Sequence, residues 1–256
     1  MQWHLLTDPP ADGAANMARD VALLELAAER GMGFVRTYTW APFTLSFGAN
    51  EPALRRYDRD AIAARGMAAV RRPTGGRAVW HAEELTYAVA APDPTFGPLP
   101  ETYRRIHATL AQGLATLGAA LAPSAPPAAA TALDAGACFA SPAGGELVAA
   151  AGKVVGSAQL RERGAFLQHG SILLGNRQER VTEVTRGDAP PAGAAHLSAL
   201  LGRDVPAAEV AQAVALAVRA WPGEWREADA PLRAELDRRA AGQLARFQDP
   251  AWTWRR

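Results

Sequence analysis

Short runs of alternating apolar and polar residues, separated by glycine or proline turns, fill the middle of this 256-residue chain. A period of two is typical of β-strands, and it predicts strands at about 34–40, 43–48, 67–71, 78–81, 85–90, 146–151, 153–161 and 166–174. Apolar residues recur at helical spacing in 14–30 and in 103–117. Strands and helices in this order predict an α+β fold with mixed, mainly antiparallel sheets flanked by helices.

The composition predicts a globular protein that stays where it is made. Apolar residues make up 49% of the chain, and the formal net charge of +1 favours neither nucleic acid nor a membrane surface as a partner. No apolar run reaches the roughly 20 residues that span a bilayer, and no cationic leader opens the sequence, so we expect a cytoplasmic protein. We predict a catalytic domain, 1–190, and a helical C-terminal extension, 191–256, packed on it.

Two residue types occur only once in the chain. Cys138 is the only cysteine, which excludes an internal disulfide and a cysteine-rich metal site. Lys153 is the only lysine among the 27 lysine and arginine residues. A codon bias that replaces lysine by arginine explains this scarcity. Under such a bias, however, a position that keeps lysine also indicates a need for a compact ammonium group on a flexible stem.

A glycine pair lies between two predicted strands in the stretch RRPTGGRAVWHAEELTY. Gly75 and Gly76 leave backbone amides uncovered, so a carbonyl or phosphate group can approach them closely. Arg72 and Arg77 are placed to hold an anionic group beside this turn, and His81 ends the strand that follows. The alternative is a plain β-turn with solvated arginines, and a short glycine motif alone does not decide between the two.

The second candidate segment is the predicted strand pair that carries the lysine. Alternation along the strand predicts one shared face for four side chains: Lys153, Val155, Ser157 and Gln159. A lysine, a hydroxyl and an amide in line suit a polar-tipped pocket better than a core. Gly156 favours a pocket over a solvent-facing edge strand, because glycine inside a strand often marks the close approach of a ligand or another backbone. His169, on the next strand, is either a catalytic residue or a hydrogen-bonded structural histidine.

Together these segments resemble the family of lipoate-protein ligases, lipoyl (octanoyl) transferases and biotin ligases. RRPTGGRAVWHAEELTY is similar to the arginine–glycine motif of that family, and GKVVGSAQLRERGAFLQHGSILL is similar to its lysine motif. The resemblance covers about residues 15–180 and implies an α+β domain whose sheets enclose an acyl-binding tunnel. It implies that Lys153 binds the acyl carbonyl or its activating group. The residues expected to line the pocket are Arg72, Gly75, Gly76, His81, Gly156, Ser157 and His169.

Within this family, the chain is similar to the cysteine-dependent octanoyltransferases that resemble lipoate-protein ligase A. The similarity rests on the Gly-Gly-Arg sequence and on CFASP at residues 138–142, which matches a Cys-Phe-x-x-Pro context. It implies that Cys138 is the nucleophile and that octanoyl-acyl carrier protein is the donor. The implied acceptor is a lipoyl domain, on a glycine-cleavage carrier or a 2-oxo-acid dehydrogenase subunit. A thioester donor is already activated, so no ATP, metal or other cofactor is expected. The charge of Lys153 favours the thiolate and the oxyanion that forms on transfer.

Two other functions stay open at this stage. The first is an ATP-dependent lipoate-protein ligase in which Cys138 is incidental, and the second is a non-catalytic acyl- or carrier-binding module. The chain also departs from the family pattern at two places. Ala82 stands where many relatives have an acidic residue, and residues 143–145 replace a bulkier segment before Glu146. The second departure concerns the shape of the loop that carries the cysteine.

Overall fold

The computed structural model describes residues 1–125, 139, 144–175, 177–187 and 194–256. The strands in these ranges are β1 (Gln2–Thr7), β2 (Gly33–Tyr38), β3 (Thr44–Phe47), β4 (Ala68–Arg71), β5 (Val79–His81), β6 (Glu84–Pro92), β7 (Ala122–Pro123), β8 (Leu147–Ala149), β9 (Gly152–Glu162), β10 (Ala165–Leu173) and β11 (Glu224–Glu227). The helices are α1 (Gly13–Arg30), α2 (Ala53–Arg56), α3 (Arg59–Ala64), α4 (Leu99–Ala115), α5 (Leu197–Leu201), α6 (Ala207–Val218), α7 (Ala230–Gln248) and α8 (Pro250–Thr253). A 3-10 helix covers Gln178–Val184.

Two sheets are formed by the described strands. The larger one has eight strands in the order β11-β1-β2-β6-β10-β9-β8-β7, and the smaller one has three in the order β4-β3-β5. In the larger sheet β1 is parallel to β2 and to β11, whereas the other neighbours are antiparallel. The predicted α+β class with mixed, mainly antiparallel sheets flanked by helices is therefore confirmed.

Helices cover both faces of the larger sheet, and each face buries its own apolar core. On one face α4 and α6 pack over a cluster that includes Tyr87 and Val155. On the other face α1 and α7 pack over a cluster that includes Phe34 and Leu167. A third cluster, centred on Phe47, joins the smaller sheet to α3 and the 3-10 helix.

Helix α1 has the boundaries that its sequence predicts. The Asp12 side chain accepts a hydrogen bond from the Ala15 amide, which satisfies one free donor of the first turn. Gly31 ends the helix with φ +66°, a left-handed conformation that glycine adopts without a Cβ clash. The helix is thereby fixed at both ends, and it presents Met17 and Asp20 to the space between the two sheets.

Some local predictions differ from the structure. The polar sequence at about 55–65 predicts one short helix, but the structure has two, because Tyr57 is extended and turns its hydroxyl inward to Glu51, 2.7 Å away. Strands β1 and β11 were not expected, since their parallel pairing joins the two ends of the chain and leaves no local pattern. Proline, alanine and serine dominate residues 122–137 and predict an irregular surface loop. In the structure Ala122–Pro123 form β7, and residues 126–137 lie outside the described ranges.

The C-terminal residues contact both sheets. β11 extends the larger sheet beside β1, and α7 packs on α1. At the smaller sheet, Arg71 Nε donates to the Thr253 carbonyl over 2.9 Å, and Trp252 Nε1 donates to the Arg71 carbonyl over 2.9 Å. The division of the chain at residue 190 stays a prediction. None of the helices in the described parts of the chain is both long and apolar enough to cross a bilayer.

The crossing of α4 and α6 generates a prediction about two helical glycines. A Cβ on Gly113 would lie 2.9 Å from the Ala213 carbonyl oxygen, whereas a Cβ on Gly242 would meet nothing within 4 Å. We expect Gly113→Ala to lower the free energy of unfolding by about 1–3 kcal/mol through overpacking. The matched control Gly242→Ala should raise it by about 0.5–1 kcal/mol. Urea denaturation followed by tryptophan fluorescence measures both, and equal shifts in one direction would contradict the packing described for α4 and α6.

Candidate active site

A cavity lies between the two sheets. Strands β2, β6, β9 and β10 of the larger sheet form one wall, and β3, β5 and the glycine turn form the opposite wall. Six of the predicted pocket residues line it: Arg72, Gly76, His81, Gly156, Ser157 and His169. Gly75 belongs to the same turn but is not among the lining residues. The fold therefore brings the glycine motif and the lysine motif together across one cavity.

A row of small residues crosses the larger sheet beneath this cavity. Gly156 on β9 pairs with Ser171 on β10, Ser171 pairs with Thr86 on β6, and Thr86 pairs with Tyr38 on β2. Three interstrand spacings separate Gly156 from Tyr38, which corresponds to about 14 Å. Because the side chains of this row are small, they leave space above the sheet. The rings of Tyr38 and Trp40 form an aromatic wall at the far end. The cavity is largely apolar, and its lining spans these four strands.

The glycine turn is held by Arg72. Its Nη1 donates to the Ser46 carbonyl over 3.2 Å, and its Nη2 donates to the carbonyls of Gly75 and Arg77 over 2.9 and 2.7 Å. Gly76 has φ +89°, and a Cβ on Gly48 would overlap its carbonyl, so the close approach of the two loops requires glycine at position 48. Arg72 thus has a clear role in shaping the turn. Its predicted contact with an anionic ligand stays a prediction.

His81 links the smaller sheet to a buried carboxylate on the larger one. Its Nδ1 lies 2.8 Å from Glu84 Oε1, an oxygen that also accepts from the hydroxyls of Thr86 and Ser171. In a neutral ring this leaves Nε2 to accept from the Ser46 hydroxyl, 2.7 Å away. Trp40 stacks on the imidazole with ring centroids 3.9 Å apart. The histidine is therefore fixed in both position and tautomer.

His169 forms a second chain of the same kind. Its Nε2 lies 2.6 Å from the Thr74 hydroxyl in the glycine turn, and its Nδ1 lies 2.8 Å from Asp20 Oδ2 on α1. Burial alone would raise the pKa of Asp20, but the hydrogen bond from His169 and the charge of Arg36 outweigh it and lower that pKa. Burial lowers the pKa of His169, against the opposing effect of the hydrogen bond to Asp20. His169 thus lines the cavity and is hydrogen-bonded at both ring nitrogens, as the structural alternative predicts.

The charge network continues from Asp20 to the C-terminal helix. Arg36 Nη1 donates to Asp20 over 2.7 Å, and Arg36 Nε donates to Asp8 over 2.7 Å. Arg233 on α7 reaches the other oxygen of Asp8 at 3.3 Å. Hydrogen-bonded and charged groups therefore run without interruption from α7 to the glycine turn.

The lysine strand does not alternate as predicted, because β9 carries a bulge. Leu147 pairs with Val155 and Val148 pairs with Lys153, so Val154 is an extra residue on that strand. Val154 and Val155 therefore both point into the core under α4. Lys153 lies on the opposite side, where its Cε would be 2.6 Å from a Cβ on Gly156. The prediction that Lys153 and Val155 share a face is wrong, and Gly156 makes room for the lysine itself as well as for the cavity.

Lys153 is 1% exposed, and its positive charge is paired with a carboxylate inside the protein. Its Nζ donates to Glu146 Oε1 over 2.6 Å and lies 4.6 Å from the centre of the Phe139 ring. A buried ammonium needs such a partner, because an isolated charge in an apolar interior is strongly disfavoured. The predicted nucleophile Cys138 lies outside the described residues.

Ser157 has two environments. It lines the cavity, but its hydroxyl lies on the other side of the sheet, 2.7 Å from the Tyr87 hydroxyl and 2.8 Å from His107 Nε2. His107 Nδ1 in turn lies 2.7 Å from the Gly145 carbonyl. The pKa of His107 is lowered to about 4, mainly by burial. The hydrogen bond to Gly145 opposes this shift, and the charge of Lys153 adds to it.

Several of these residues were missed by the sequence analysis as members of the site. Glu146, Glu84, Asp20 and His107 come from separate elements and meet the motif residues only in the fold. One signal could have identified Glu146, since a lysine placed among valines on a buried strand requires a carboxylate nearby. For Glu84, Asp20 and His107 the sequence contains no comparable local pattern.

Comparison with known proteins identifies the family and the fold. The family model for the lipoyl protein ligase A/B catalytic domain matches residues 12–219. The octanoyltransferase LipM of Kyrpidia tusciae is 37% identical, over 99% of this chain and 99% of the relative. The LipM of Lysinibacillus sphaericus is 38% identical over 71% of this chain and 69% of its own length. A solved lipoate-protein ligase A with bound ATP has a TM-score of 0.79 at 18% identity and covers 99% of both chains.

These matches decide the family and the fold. Since the family model and a relative above one third identity both extend over most of the chain, the protein belongs to the lipoyl protein ligase A/B catalytic-domain family. The solved ligase is too distant in sequence to indicate more than the shared fold. The family resemblance inferred from the two motifs is confirmed.

The neutral state of His107 generates a prediction about pH. The folded state holds the pKa of His107 near 4, below the ordinary value of 6.5, so the unfolded chain binds more protons between these values. Its contribution to the free energy of unfolding is complete above pH 6.5. It is lost as pH falls toward 4, by up to about 1.4 kcal/mol for each pH unit.

The measurement is the difference in unfolding free energy between wild type and His107→Asn. This difference should shrink as pH falls from 6.5 to 4. The control is Thr109→Val on the same helix, which removes the hydrogen bond from Trp221 but no titrating group. Its difference from wild type should stay constant over the same range. A constant difference for His107→Asn would show that the histidine is not held neutral.

Proposed function

We propose that the protein moves an octanoyl group from an acyl carrier protein to the lysine of a lipoyl domain, through a thioester on Cys138. The protein is an octanoyltransferase: the relatives named octanoyltransferase LipM are 37–41% identical to it over two thirds or more of the chain. The donor, the acceptor and the covalent intermediate are the content of the proposal. It predicts catalysis without nucleotide.

The observation that carries the proposal is the contact between Lys153 and Phe139. Phe139 is the covalent neighbour of Cys138, and its buried ring lies 4.6 Å from Lys153 Nζ. Because Cys138 directly precedes Phe139 in the sequence, this contact supports the proposal that the cysteine acts close to a cation. A cation close to a thiol favours the thiolate, which is the nucleophilic form.

The chemistry consists of two acyl transfers. In the first, the Cys138 thiolate attacks the thioester carbonyl of the donor, a new S–C bond forms, and the carrier thiol leaves with the proton that Cys138 gave up. In the second, the neutral amine of the acceptor lysine attacks the enzyme thioester. A C–N bond forms, the S–C bond breaks, and the proton of the amine returns to the Cys138 sulfur. The ammonium of Lys153 is suited to stabilise the oxyanion that develops in each step.

The cavity suits a medium-chain acyl group. Its floor runs for about 14 Å, from Gly156 beside Lys153 to Tyr38 at the far end. An acyl group with its carbonyl near Lys153 would extend over Ser171 and Thr86 toward the aromatic wall of Trp40. Burial of the alkyl chain against these residues supplies binding energy in proportion to the apolar area removed from water.

The competing function is ATP-dependent ligation of free lipoate or octanoate. The fold alone permits it, because a lipoate-protein ligase A with bound ATP has the same fold. Two sequence features favour transfer from a thioester instead: Cys138 in its Cys-Phe-x-x-Pro context and the Gly-Gly-Arg turn. A non-catalytic carrier-binding module is less well supported, because it gives no reason to bury the only lysine beside a carboxylate.

Incubation with octanoyl-acyl carrier protein and an apo lipoyl domain, without nucleotide, tests the proposal. The lipoyl domain should gain the mass of one octanoyl group. Modification that requires free octanoate and ATP, with none from the carrier thioester, would establish the ligase. No modification in either mixture would favour the binding module.

The covalent intermediate gives a separate prediction for Cys138. Without an acceptor, the enzyme should gain one octanoyl group from the carrier, in a bond that neutral hydroxylamine cleaves. Adding the lipoyl domain should discharge it, because an amide is more stable than a thioester. Cys138→Ala should abolish both adduct and turnover, and Cys138→Ser should react more slowly because a hydroxyl is the weaker nucleophile. An active Cys138→Ala enzyme would rule out the thioester route.

Lys153→Arg tests the need for a compact ammonium. The charge is kept, but a guanidinium is larger and planar and must fit between the Phe139 ring and the backbone of Gly156. We expect turnover to fall at least about a hundredfold, the scale of losing one oxyanion donor. The control is Arg161→Lys on the same strand, which exchanges the same two residue types at a half-exposed ion pair with Asp93. If Lys153→Arg has near-normal turnover, codon bias explains why the chain contains only one lysine.

A further inference from the structure

Five hydrogen bonds form one continuous chain across the face of the larger sheet under α4. Gln159 Nε2 lies 2.7 Å from Gln168 Oε1, and Gln168 Nε2 lies 2.7 Å from the Tyr87 hydroxyl. The Tyr87 hydroxyl lies 2.7 Å from Ser157 Oγ. The chain then passes to His107 Nε2 over 2.8 Å and ends at the Gly145 carbonyl over 2.7 Å from His107 Nδ1.

The chemistry of its two ends fixes the direction of every bond. The Gly145 carbonyl can only accept, so His107 Nδ1 carries the proton and Nε2 of the neutral ring accepts from Ser157. Ser157 must then accept from Tyr87. Tyr87 accepts in turn from the amide nitrogen of Gln168, which can only donate. Each group donates toward Gly145, so the chain has one arrangement of protons and ends on one carbonyl.

That carbonyl belongs to the turn that presents Glu146 to Lys153. Gly145 has φ +87°, and its amide donates to the Ser124 carbonyl over 3.0 Å. The Glu146 amide donates to Ser124 Oγ over 3.1 Å. Ser124 on one side and His107 on the other therefore fix the peptide that precedes Glu146. The Glu146 side chain leaves this peptide to meet Lys153 Nζ at 2.6 Å.

We propose that His107 is a positioning residue for acyl transfer: its ring holds the Gly145 turn, and that turn holds Glu146 against Lys153. The inference rests on the function proposed for Lys153. Among the described residues that line the acyl cavity, His107 is absent. A change at His107 should therefore alter the turnover number more than the affinity for the acyl donor.

Two variants separate the two hydrogen bonds of the imidazole. In His107→Asn the side-chain nitrogen can occupy the place of Nδ1, so the bond to Gly145 is kept and the one from Ser157 is lost. In His107→Gln the longer side chain reaches the place of Nε2, so the bond from Ser157 is kept and the one to Gly145 is lost. Thr109→Val perturbs α4 at its contact with Trp221 and leaves the chain intact.

We expect kcat to fall at least about tenfold in His107→Gln, the scale of one lost hydrogen bond to a positioned group. His107→Asn and Thr109→Val should stay within about threefold of wild type. KM for octanoyl-acyl carrier protein should remain unchanged in all three. A role in packing alone predicts instead that kcat follows the unfolding free energy of each variant. Equal kcat values for His107→Asn and His107→Gln would overturn the proposal.

The single lysine of the chain supplies a readout that does not depend on activity. In protein labelled at lysine with ¹³C and ¹⁵N, one side-chain resonance reports the pairing of Lys153 with Glu146. His107→Gln should shift it in the same direction as Glu146→Gln, and His107→Asn should leave it near its wild-type position. An unshifted resonance in folded His107→Gln would refute the positioning role. If the wild-type protein transfers no octanoyl group, the proposed function is wrong. The lysine resonance still tests the role of His107 in that case, because it does not depend on activity.

Discussion

The buried ion pair between Lys153 and Glu146 determines how the rest of the site is built. Both side chains are almost fully removed from solvent, so each charge needs an opposite charge close by inside the protein. Removing one partner of such a pair costs about 3–5 kcal/mol. The bulge at Val154 turns the lysine away from the core, Gly156 leaves space for its stem, and Gly145 sets the peptide that presents the carboxylate. Each of these features makes sense as a support for one ammonium group.

The same demand for buried partners explains the two histidines of the cavity. His81 and His169 each connect a hydroxyl of the glycine-motif side with a carboxylate, Glu84 in one case and Asp20 in the other. A buried polar group that loses its partner costs more than the bond itself contributes, so such chains permit few alternative arrangements. Hydrogen bonds therefore join the two walls of the cavity in addition to the apolar contacts.

The sequence was sufficient for features that depend on neighbouring residues. Most strands, the ends of α1 and the two family motifs could be predicted, because strand alternation, the Asp12 cap and the Gly31 stop act within a few positions. It failed where distant elements meet. The parallel pairing of β11 with β1 leaves no periodic trace, and the bulge at Val154 reverses the alternation that was used to place Lys153 and Val155. Likewise, no local pattern joins His107 to the lysine strand.

The contact between Arg71 and Thr253 bears on how the protein is made. Arg71 comes directly before the Arg72 that holds the glycine turn, and its guanidinium joins the carbonyls of Gly48, Glu51 and Thr253. A ribosome adds about 5–20 residues per second, from the N-terminus onward. Thr253 follows Arg71 by 182 residues, so its segment is synthesised about 9–36 s later. The glycine turn of the nascent chain therefore acquires this support only well after both motifs have been made.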